Sequence, residues 1–325
     1  MILLWGGFLL IILLLLSLDL GVFHRKDHVI KAKEALLWTC FWVVLALLFD
    51  IFIYHAYNHD WLGIDLEKHS IKSGGDAALK YITGYIIEKS LSLDNIFVIA
   101  MIFAYFKVPA IHQHRVLFWG ILGALIMRGI MIIAGTALIH KFSWMIYIFG
   151  GFLILTAIKM LTTRHDNIEP EKNVLIKIAK KIYPVTKSYE GRKFFSTADR
   201  AKAITPLFLV LLIIESTDVL FAIDSIPAIF AVTTDPFIVF TSNVFAILGL
   251  RSLYFALAAM MDKFRYLKMS LVFVLAYVGI KMILSHIYPI PTFVSLSIIG
   301  TILFVGIYSS VAASKKDTAK LKSPL

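Results

Sequence analysis

The stretch from Leu211 to Pro227 constrains the fold more than any other part of the sequence. It reads LLIIESTDVLFAIDSIP, so it places Glu215, Asp218 and Asp224 inside an apolar run that belongs to a membrane-crossing segment. A charge near the bilayer centre costs at least about 2.5 to 3.5 kcal/mol on insertion scales, so acids at that depth face protein or water. The stretch therefore predicts a membrane helix that contributes to a functional site.

The composition of the 325-residue chain indicates an integral membrane protein. Apolar residues make up 59% of it and the mean hydropathy is +0.84, whereas soluble domains are about 45 to 50% apolar. The net charge of +11 does not predict nucleic-acid binding, because the cations lie in short loops, where they set membrane orientation. A single cysteine, Cys40, excludes an internal disulfide and a thiolate metal cluster.

Apolar segments of about 20 residues predict an all-α, polytopic fold with about nine transmembrane helices. The segments are 1–20, 36–57, 81–105, 115–138, 143–163, 205–230, 238–259, 267–286 and 293–313. The first lacks a basic start and a cleavage site, so we interpret it as a retained helix and not as a signal peptide. Alternate loops hold 23 Lys and Arg on one side and 4 on the other, which predicts an outer N-terminus and a cytoplasmic C-terminus.

The longest loop, 164–204, is predicted to contain an amphipathic helix. Val174, Ile178 and Ile182 recur every four residues before Pro184 ends the pattern. Such a helix either lies on the cytoplasmic membrane surface or forms a solvated linker that touches nothing, and the sequence leaves both open.

Three predicted helices recur as a second set of three. The segment from Phe142 to Met160 aligns with that from Phe264 to Met282, while Arg128 aligns with Arg251, Gly120 with Asn243 and Asp94 with Asp218. Because each set has an odd number of helices, the two sets cross the membrane in opposite directions. Inverted repeats are typical of secondary transporters, whose substrate site lies near the midplane between them. The predicted parts of this single membrane domain are 1–80, repeat one 81–163, the loop 164–204, repeat two 205–286, and a last helix with a basic tail 287–325.

Acidic and polar side chains of the two repeats are the candidate ligands of a cation. On an ideal helix Glu88, Ser92 and Asn95 share one face, as do Glu215 and Asp218. Pro227 removes a backbone hydrogen bond, so a helix break there is expected to turn Asp224 inward or to free a carbonyl ligand; a plain kink is the alternative. The predicted ligands are Glu88, Asp94, Asn95, Glu215, Asp218 and Asp224, and the residues predicted to pair with them or orient them are Arg128, Arg251, Asn243, Ser90 and Ser92.

The ligand atoms favour a hard divalent cation. Five carboxylates and two mid-span arginines leave a formal charge of about −3, and a buried cluster of that sign either protonates or holds a cation. Oxygen ligands suit Mg²⁺, Ca²⁺ or Mn²⁺, whereas Zn²⁺ and Cu⁺ favour imidazole and sulfur. An anionic substrate is disfavoured, because the acids would repel it. Lys159 and Lys281, near helix ends, are interpreted as snorkelling side chains, and Asp50 and Asp19 are given no role.

These motifs resemble those of the TerC family of bacterial membrane proteins, most closely its Alx branch. The similarity covers nearly the whole chain and is carried by Gly84–Leu91, Asp94-Asn95, Glu215 with Asp218, Phe221–Pro236 and Phe245–Arg251. It implies a multi-pass protein of the bacterial inner membrane, linked to Mn²⁺ efflux and, through the family's name, to tellurite resistance. The family's acidic positions fall on Glu88, Asp94, Glu215, Asp218 and Asp224.

Three hypotheses follow. The first is a non-enzymatic Mn²⁺ exporter, with Ca²⁺ and Mg²⁺ still open, in which carboxylates that release metal accept protons in its place. The second is a membrane partner that delivers metal to secretion machinery, or assembles with it, without transporting. The third is an intramembrane aspartyl protease with Asp94 and Asp218 as its dyad, although the Gly-x-Gly-Asp context of such enzymes is missing.

Overall fold

The computed structural model describes residues 2–21, 32–59, 61, 71–162, 173–186, 188–198, 201–258, 267–285 and 287–322. These ranges contain eleven α-helices and one two-stranded antiparallel hairpin, which confirms the all-α class. In chain order the elements are α1 (Ile2–Gly21), α2 (Ala32–Asn58), α3 (Gly74–Tyr105), α4 (Ala110–Lys141), α5 (Met145–Thr162), α6 (Val174–Ile182), β1 (Phe195–Ala198), β2 (Ala201–Ile204), α7 (Pro206–Phe230), α8 (Pro236–Leu248), α9 (Leu250–Ala258), α10 (Leu267–Leu284) and α11 (Thr292–Lys322).

Six helical stretches in the described ranges are long and apolar enough to cross a membrane. They lie in α2, α4, α5, α7, α11 and the combined stretch Pro236–Leu257 of α8 and α9, and shorter apolar stretches lie in α1 and α10. α3 is 32 residues long, but five charged side chains interrupt its apolar sequence. The molecule is therefore polytopic, while the count of nine membrane helices and the membrane orientation stay predictions.

Equivalent helices of the two predicted repeats run in opposite directions. Gly84 of α3 faces Ile229, near the end of α7, so these two helices are antiparallel. α5 and α10 are also antiparallel, and they approach so closely that a Cβ on Gly150 would lie 2.9 Å from the carbonyl oxygen of Gly279. In addition, α3 packs on α8 as α7 packs on α4. This arrangement is the one expected of two inverted three-helix units.

The polar residues of α3 and α7 lie between two apolar clusters. One cluster includes Ile87 and Ala222, and the other includes Ile96 and Ile214. Glu88 to Asn95 on α3 and Glu215 to Asp218 on α7 fall between these anchors in the sequence. Apolar packing on both sides therefore holds the two polar segments against each other, away from the helix ends.

The predicted segment 238–259 corresponds to α8 and α9, which together form one apolar stretch, Pro236–Leu257, with a single-residue interruption at Gly249. Lys89 of α3 lies at this interruption: its Nζ donates to the carbonyl oxygen of Ala246 at 3.2 Å, and a Cβ on Gly249 would lie 2.8 Å from Nζ. A cation at the C-terminal end of a helix is favoured by the helix dipole. Lys89 therefore stabilises the C-terminal end of α8, a contact that an apolar pattern does not reveal.

The break that the sequence predicts at Pro227 does not occur, since α7 continues to Phe230. The Ala231 amide donates to the Pro227 carbonyl oxygen at 3.2 Å, so Pro227 occupies the last turn of the helix. A proline so close to the end removes one hydrogen bond but leaves little helix beyond it to redirect. Pro227 therefore precedes the end of α7 and does not divide it.

The loop 164–204 contains the predicted helix as α6, and it also contains an unpredicted hairpin, β1–β2. Ile176 is buried against α7, whereas Ile178 and Ile182 are 49% and 62% exposed. Asn173 caps α6, since its Oδ1 accepts from the Leu175 and Ile176 amides. The solvated linker that touches nothing is therefore excluded.

A tyrosine joins this segment to the turn between α3 and α4. The Tyr189 hydroxyl donates to the carbonyl oxygen of Phe106 at 2.7 Å, and burial raises the pKa of Tyr189. The segment between α5 and α7 is thus fastened to the same end of the bundle at which α3 ends.

Candidate cation site between α3, α5 and α7

Arg128 of α4 lies at the centre of the polar residues and is 1% exposed. Its guanidinium forms ion pairs with Glu88 of α3 and, at 3.1 Å, with Asp218 of α7. It also donates to Asn243 Oδ1 at 2.9 Å and to Ser225 Oγ at 3.2 Å. The planar, five-donor guanidinium suits such a set of oxygen acceptors. Arg128 therefore pairs with two of the predicted acids, and it also contacts Asn243, which the sequence did not predict as its partner.

One face of α3 presents the acceptors, as its helical spacing predicts. Ser92 Oγ donates to Glu88 Oε1 at 3.3 Å. The other carboxylate oxygen, Glu88 Oε2, is buried and has no hydrogen-bond partner among the described residues, and the same is true of Asn95 Oδ1. Ser90 is turned elsewhere, since its hydroxyl donates to the Ile87 carbonyl oxygen within α3. Two buried oxygens in this part of α3 therefore lack a donor, and such atoms are rare in folded proteins.

A cavity of about 500 Å³ opens between α3, α5, α7 and α10. Glu88, Asp94 and Asn95 line it from α3, and Asp224 lines it from α7. Asp224 accepts a hydrogen bond from Thr156 Oγ1 of α5 at 2.9 Å. The inward direction predicted for Asp224 is therefore present without a helix break at Pro227.

A second, much smaller cavity of about 30 Å³ lies on the other side of Asn95. Asp218, Thr217 and Arg251 are among its lining residues. Since Asn95 lines both cavities, its side chain stands between the large cavity and the Asp218–Arg128 pair. Arg251, aligned with Arg128 in the repeat, therefore lies close to the same acids from α9.

Glu215 shares a face of α7 with Asp218 but does not reach the cavity residues. It lines neither of these cavities and packs against Gly123 of α4, where a Cβ would overlap its carboxylate. Within the described ranges, no three Asp, Glu, His or Cys side chains form a group that could hold a metal ion by themselves. The structure brings Glu88, Asp94, Asn95 and Asp224 to one cavity, places Asp218 behind Arg128, and leaves Glu215 apart.

Two residues of α5 belong to the cavity but were not predicted as site residues. Thr156 bonds Asp224, and Lys159 lines the same wall, although the sequence suggested only a snorkelling role for this lysine. The alignment of Lys159 with Lys281 in the repeat was the available signal, because a surface lysine has no reason to recur at an equivalent position. Thr156 carried no comparable signal.

Comparisons with known proteins agree with this architecture. Residues 73–318 match the model of the Integral membrane protein TerC family. A Myxococcus xanthus protein described as uncharacterized membrane protein STKORF319 is 50% identical over 312 residues, which cover 96% of this chain and 93% of the relative. Two relatives bear the name Alx and the description membrane-bound redox modulator. The one from Escherichia coli (strain K12) is 44% identical over 302 residues (93% and 92% of the two chains), and the one from Salmonella typhi is 41% identical over 322 residues (99% and 98%). No solved structure matches the chain. The chain belongs to the TerC family of integral membrane proteins.

Proposed function

We propose that this protein moves divalent manganese out of the cytoplasm, across the bacterial inner membrane, through the cavity between α3, α5, α7 and α10. The observation that carries the proposal is the pair of buried acceptors without donors, Glu88 Oε2 and Asn95 Oδ1, on a cavity that Asp94 and Asp224 also line. A cation would satisfy oxygens that no described donor reaches. Buried acceptors without a donor are costly, at about 1 to 3 kcal/mol each, so a bound cation would be stabilised here.

The local charges support a divalent cation. Glu88, Asp94, Glu215, Asp218 and Asp224 carry five negative charges in this region, and Arg128, Arg251 and Lys159 carry three positive ones. The formal balance of about −2 matches one divalent cation. Because no three acidic groups converge in the described ranges, we infer that the ion keeps part of its water shell when it enters, as hard cations commonly do.

The choice of manganese comes from the resemblance to the TerC family, since Ca²⁺ and Mg²⁺ accept the same oxygen ligands. Proton exchange fits the same chemistry, because a carboxylate that releases a metal ion can take up H⁺. A protease dyad fits less well: Asp218 is paired with the Arg128 guanidinium and lines a different cavity from Asp94, whereas the two carboxyl groups of an aspartyl dyad lie together and share one proton.

The name of the Alx relatives suggests a redox function, and the sequence limits what form it could take. The chain contains one cysteine, Cys40, which is exposed on α2. A disulfide exchange between two thiols of one chain is therefore excluded. A metal carrier would influence redox chemistry indirectly, through the supply of metal ions.

The test is metal flux in liposomes that contain only this protein. Mn²⁺, Ca²⁺ and Mg²⁺ are offered in turn to the purified protein, with and without a pH gradient. We expect Mn²⁺ flux in the wild type, and at least a tenfold loss of flux in Asp224→Asn and in Asp94→Asn, since removal of a carboxylate ligand weakens binding. Asp76→Asn, at the first turn of α3 and outside the cavity, is the matched control and should retain flux.

Two results would overturn the proposal. One is wild-type protein that is folded and binds Mn²⁺ but carries none across the bilayer, which would favour the non-transporting metal-delivery partner. The other is Asp224→Asn protein that transports at the wild-type rate, which would remove the cavity from the mechanism.

A further inference from the structure

A second polar group lies between α2 and α3, nearer to the start of α3 than the cation cavity. Tyr81 and Tyr85 are one turn apart on α3 and are 0% and 5% exposed. Their hydroxyl oxygens and Asp50 Oδ1 of α2 are buried, and none of these three atoms has a hydrogen-bond partner among the described residues. On an ideal helix the two tyrosines lie about 100° around α3 from the middle of the cavity-lining face. The group is therefore distinct from the proposed cation site.

Aromatic rings pack around Tyr81, whereas buried tyrosine hydroxyls need polar partners. The Tyr81 ring lies 5.7 Å from that of Phe49 and 6.4 Å from that of Phe245, measured between centroids. Tyrosine hydroxyls usually find a partner when buried. Phe49, whose ring packs on Tyr81, directly precedes Asp50 on α2, so Asp50 and the two tyrosines lie along the same interface between α2 and α3.

The charged groups on the neighbouring elements are engaged elsewhere. On α3, Lys80 pairs with Asp76 at 2.9 Å and Lys89 donates to Ala246. At the start of α8, Asp235 accepts from the Tyr57 hydroxyl of α2 at 3.0 Å.

Arg251 of α9, which packs on α2, lines the small cavity beside Asp218, and α1 presents the rings of Trp5 and Phe8 to this region. The described elements around Asp50 therefore present hydroxyls and aromatic rings, while Lys80 and Lys89 are engaged in other contacts.

We propose that Asp50, Tyr81 and Tyr85 form an intramembrane proton site, in which Asp50 takes up and releases H⁺ and the two tyrosines hydrogen-bond to it through bound water. The chemistry is the addition of one proton, taken from water, to a carboxylate oxygen, and its later return to water. Bound water commonly satisfies buried polar groups of this kind. Tyr85 precedes Glu88 by three residues, so the proton site lies about one turn from the edge of the cation cavity, on a neighbouring face of α3.

Infrared difference spectroscopy of the protein in liposomes, recorded between acidic and neutral pH without any metal, tests the site. We expect a protonated-carboxyl band that disappears in Asp50→Asn and shifts in Tyr81→Phe and in Tyr85→Phe, because both tyrosine variants keep the carboxyl and lose a hydroxyl near it. Tyr54→Phe is the control, since Tyr54 is 42% exposed on the same helix α2, and its spectrum should match the wild type. The tyrosine variants keep the test valid if Asp50→Asn does not fold.

Spectra that superpose for wild type and Asp50→Asn would overturn the inference, as would tyrosine variants that leave the Asp50 band unchanged. The spectra do not depend on transport, so the two proposals fail separately. A protein with the Asp50 band that carries no Mn²⁺ refutes only the proposed function. Coupling between the proton site and the cation cavity rests on the proposed function. If the two are coupled, Asp50→Asn should lower the number of protons moved per metal ion by at least about fivefold.

Discussion

Replacement of Arg128 by glutamine is the most direct test of how the acids are held. The substitution removes the guanidinium from Glu88, which is 0% exposed, and from Asp218, whose side chain is 14% exposed. Loss of one partner of a buried ion pair costs about 3 to 5 kcal/mol, because the remaining charge stays buried without compensation. We therefore expect Arg128→Gln to lower the folding equilibrium constant by about two to four orders of magnitude, at 1.4 kcal/mol for each factor of ten.

The double variant, Arg128→Gln with Glu88→Gln, separates the effect of charge on stability from the effect of packing. With Glu88→Gln present as well, the buried carboxylate that Arg128 balanced is absent, so the second substitution should cost less than it does alone. Residues in one ion-pair network show coupling energies of about 0.5 to 3 kcal/mol. The free energy of unfolding is measured by denaturant titration in mixed micelles, followed by circular dichroism, for the wild type, both single variants and the double variant.

Lys141→Gln, at the exposed end of the same helix, is the control and should change stability by no more than about 0.5 kcal/mol. An Arg128→Gln protein within about 1 kcal/mol of the wild type would refute the reasoning. The reasoning would also be refuted if the double variant lost as much free energy of unfolding as the two single variants lose together.

Two further predictions concern helix contacts. Gly150→Ala should destabilise the protein by about 1 to 3 kcal/mol, because its Cβ would press on the Gly279 carbonyl. Gly151→Ala is the control and should be neutral or slightly stabilising, since nothing lies within 4 Å of a Cβ at that position. Equal unfolding curves for the two variants would contradict the close approach of α5 and α10. Asn173 Nδ2 donates to Ser216 Oγ at 2.7 Å, so Ser216→Ala should weaken the attachment of α6 by about 1 kcal/mol and make tryptic cleavage within α6 about fivefold faster. Asn173→Ala should have a larger effect, because it also removes the helix cap. Unchanged cleavage in both variants would show that this contact does not hold α6.

Helical spacing and hydropathy were sufficient for part of the site. The spacing of Glu88, Ser92 and Asn95 predicted one polar face, and the Ser92–Glu88 hydrogen bond lies on it. A mid-span arginine requires acidic partners wherever it lies, and so the pairing of Arg128 could be predicted without knowing the fold. Both inferences depend on local geometry or on charge balance, which the sequence contains.

Contacts between helices determine the features of the site that the sequence could not predict. Glu215 and Asp218 are three residues apart and were predicted to act together, yet Asp218 meets Arg128 while Glu215 meets the backbone at Gly123. Periodicity gives the direction in which a side chain leaves its helix, but not which neighbour stands there. The contact of Lys89 with the Ala246 carbonyl oxygen has the same origin, since it joins α3 to α8.

Arg128 also explains why the acids do not form a three-carboxylate metal group. Its guanidinium lies between Glu88 and Asp218, so these two acids face it and are not both directed at a common cation. The five acids of this region have a formal charge of −5 by themselves, whereas with Arg128, Arg251 and Lys159 the balance of about −2 favours one divalent ion. On the proposed function, a permanently charged arginine at this position would limit the cavity to a single divalent ion per cycle. Because arginine does not lose its proton in proteins, that limit would hold at every physiological pH, and the carboxylates alone would exchange protons for metal.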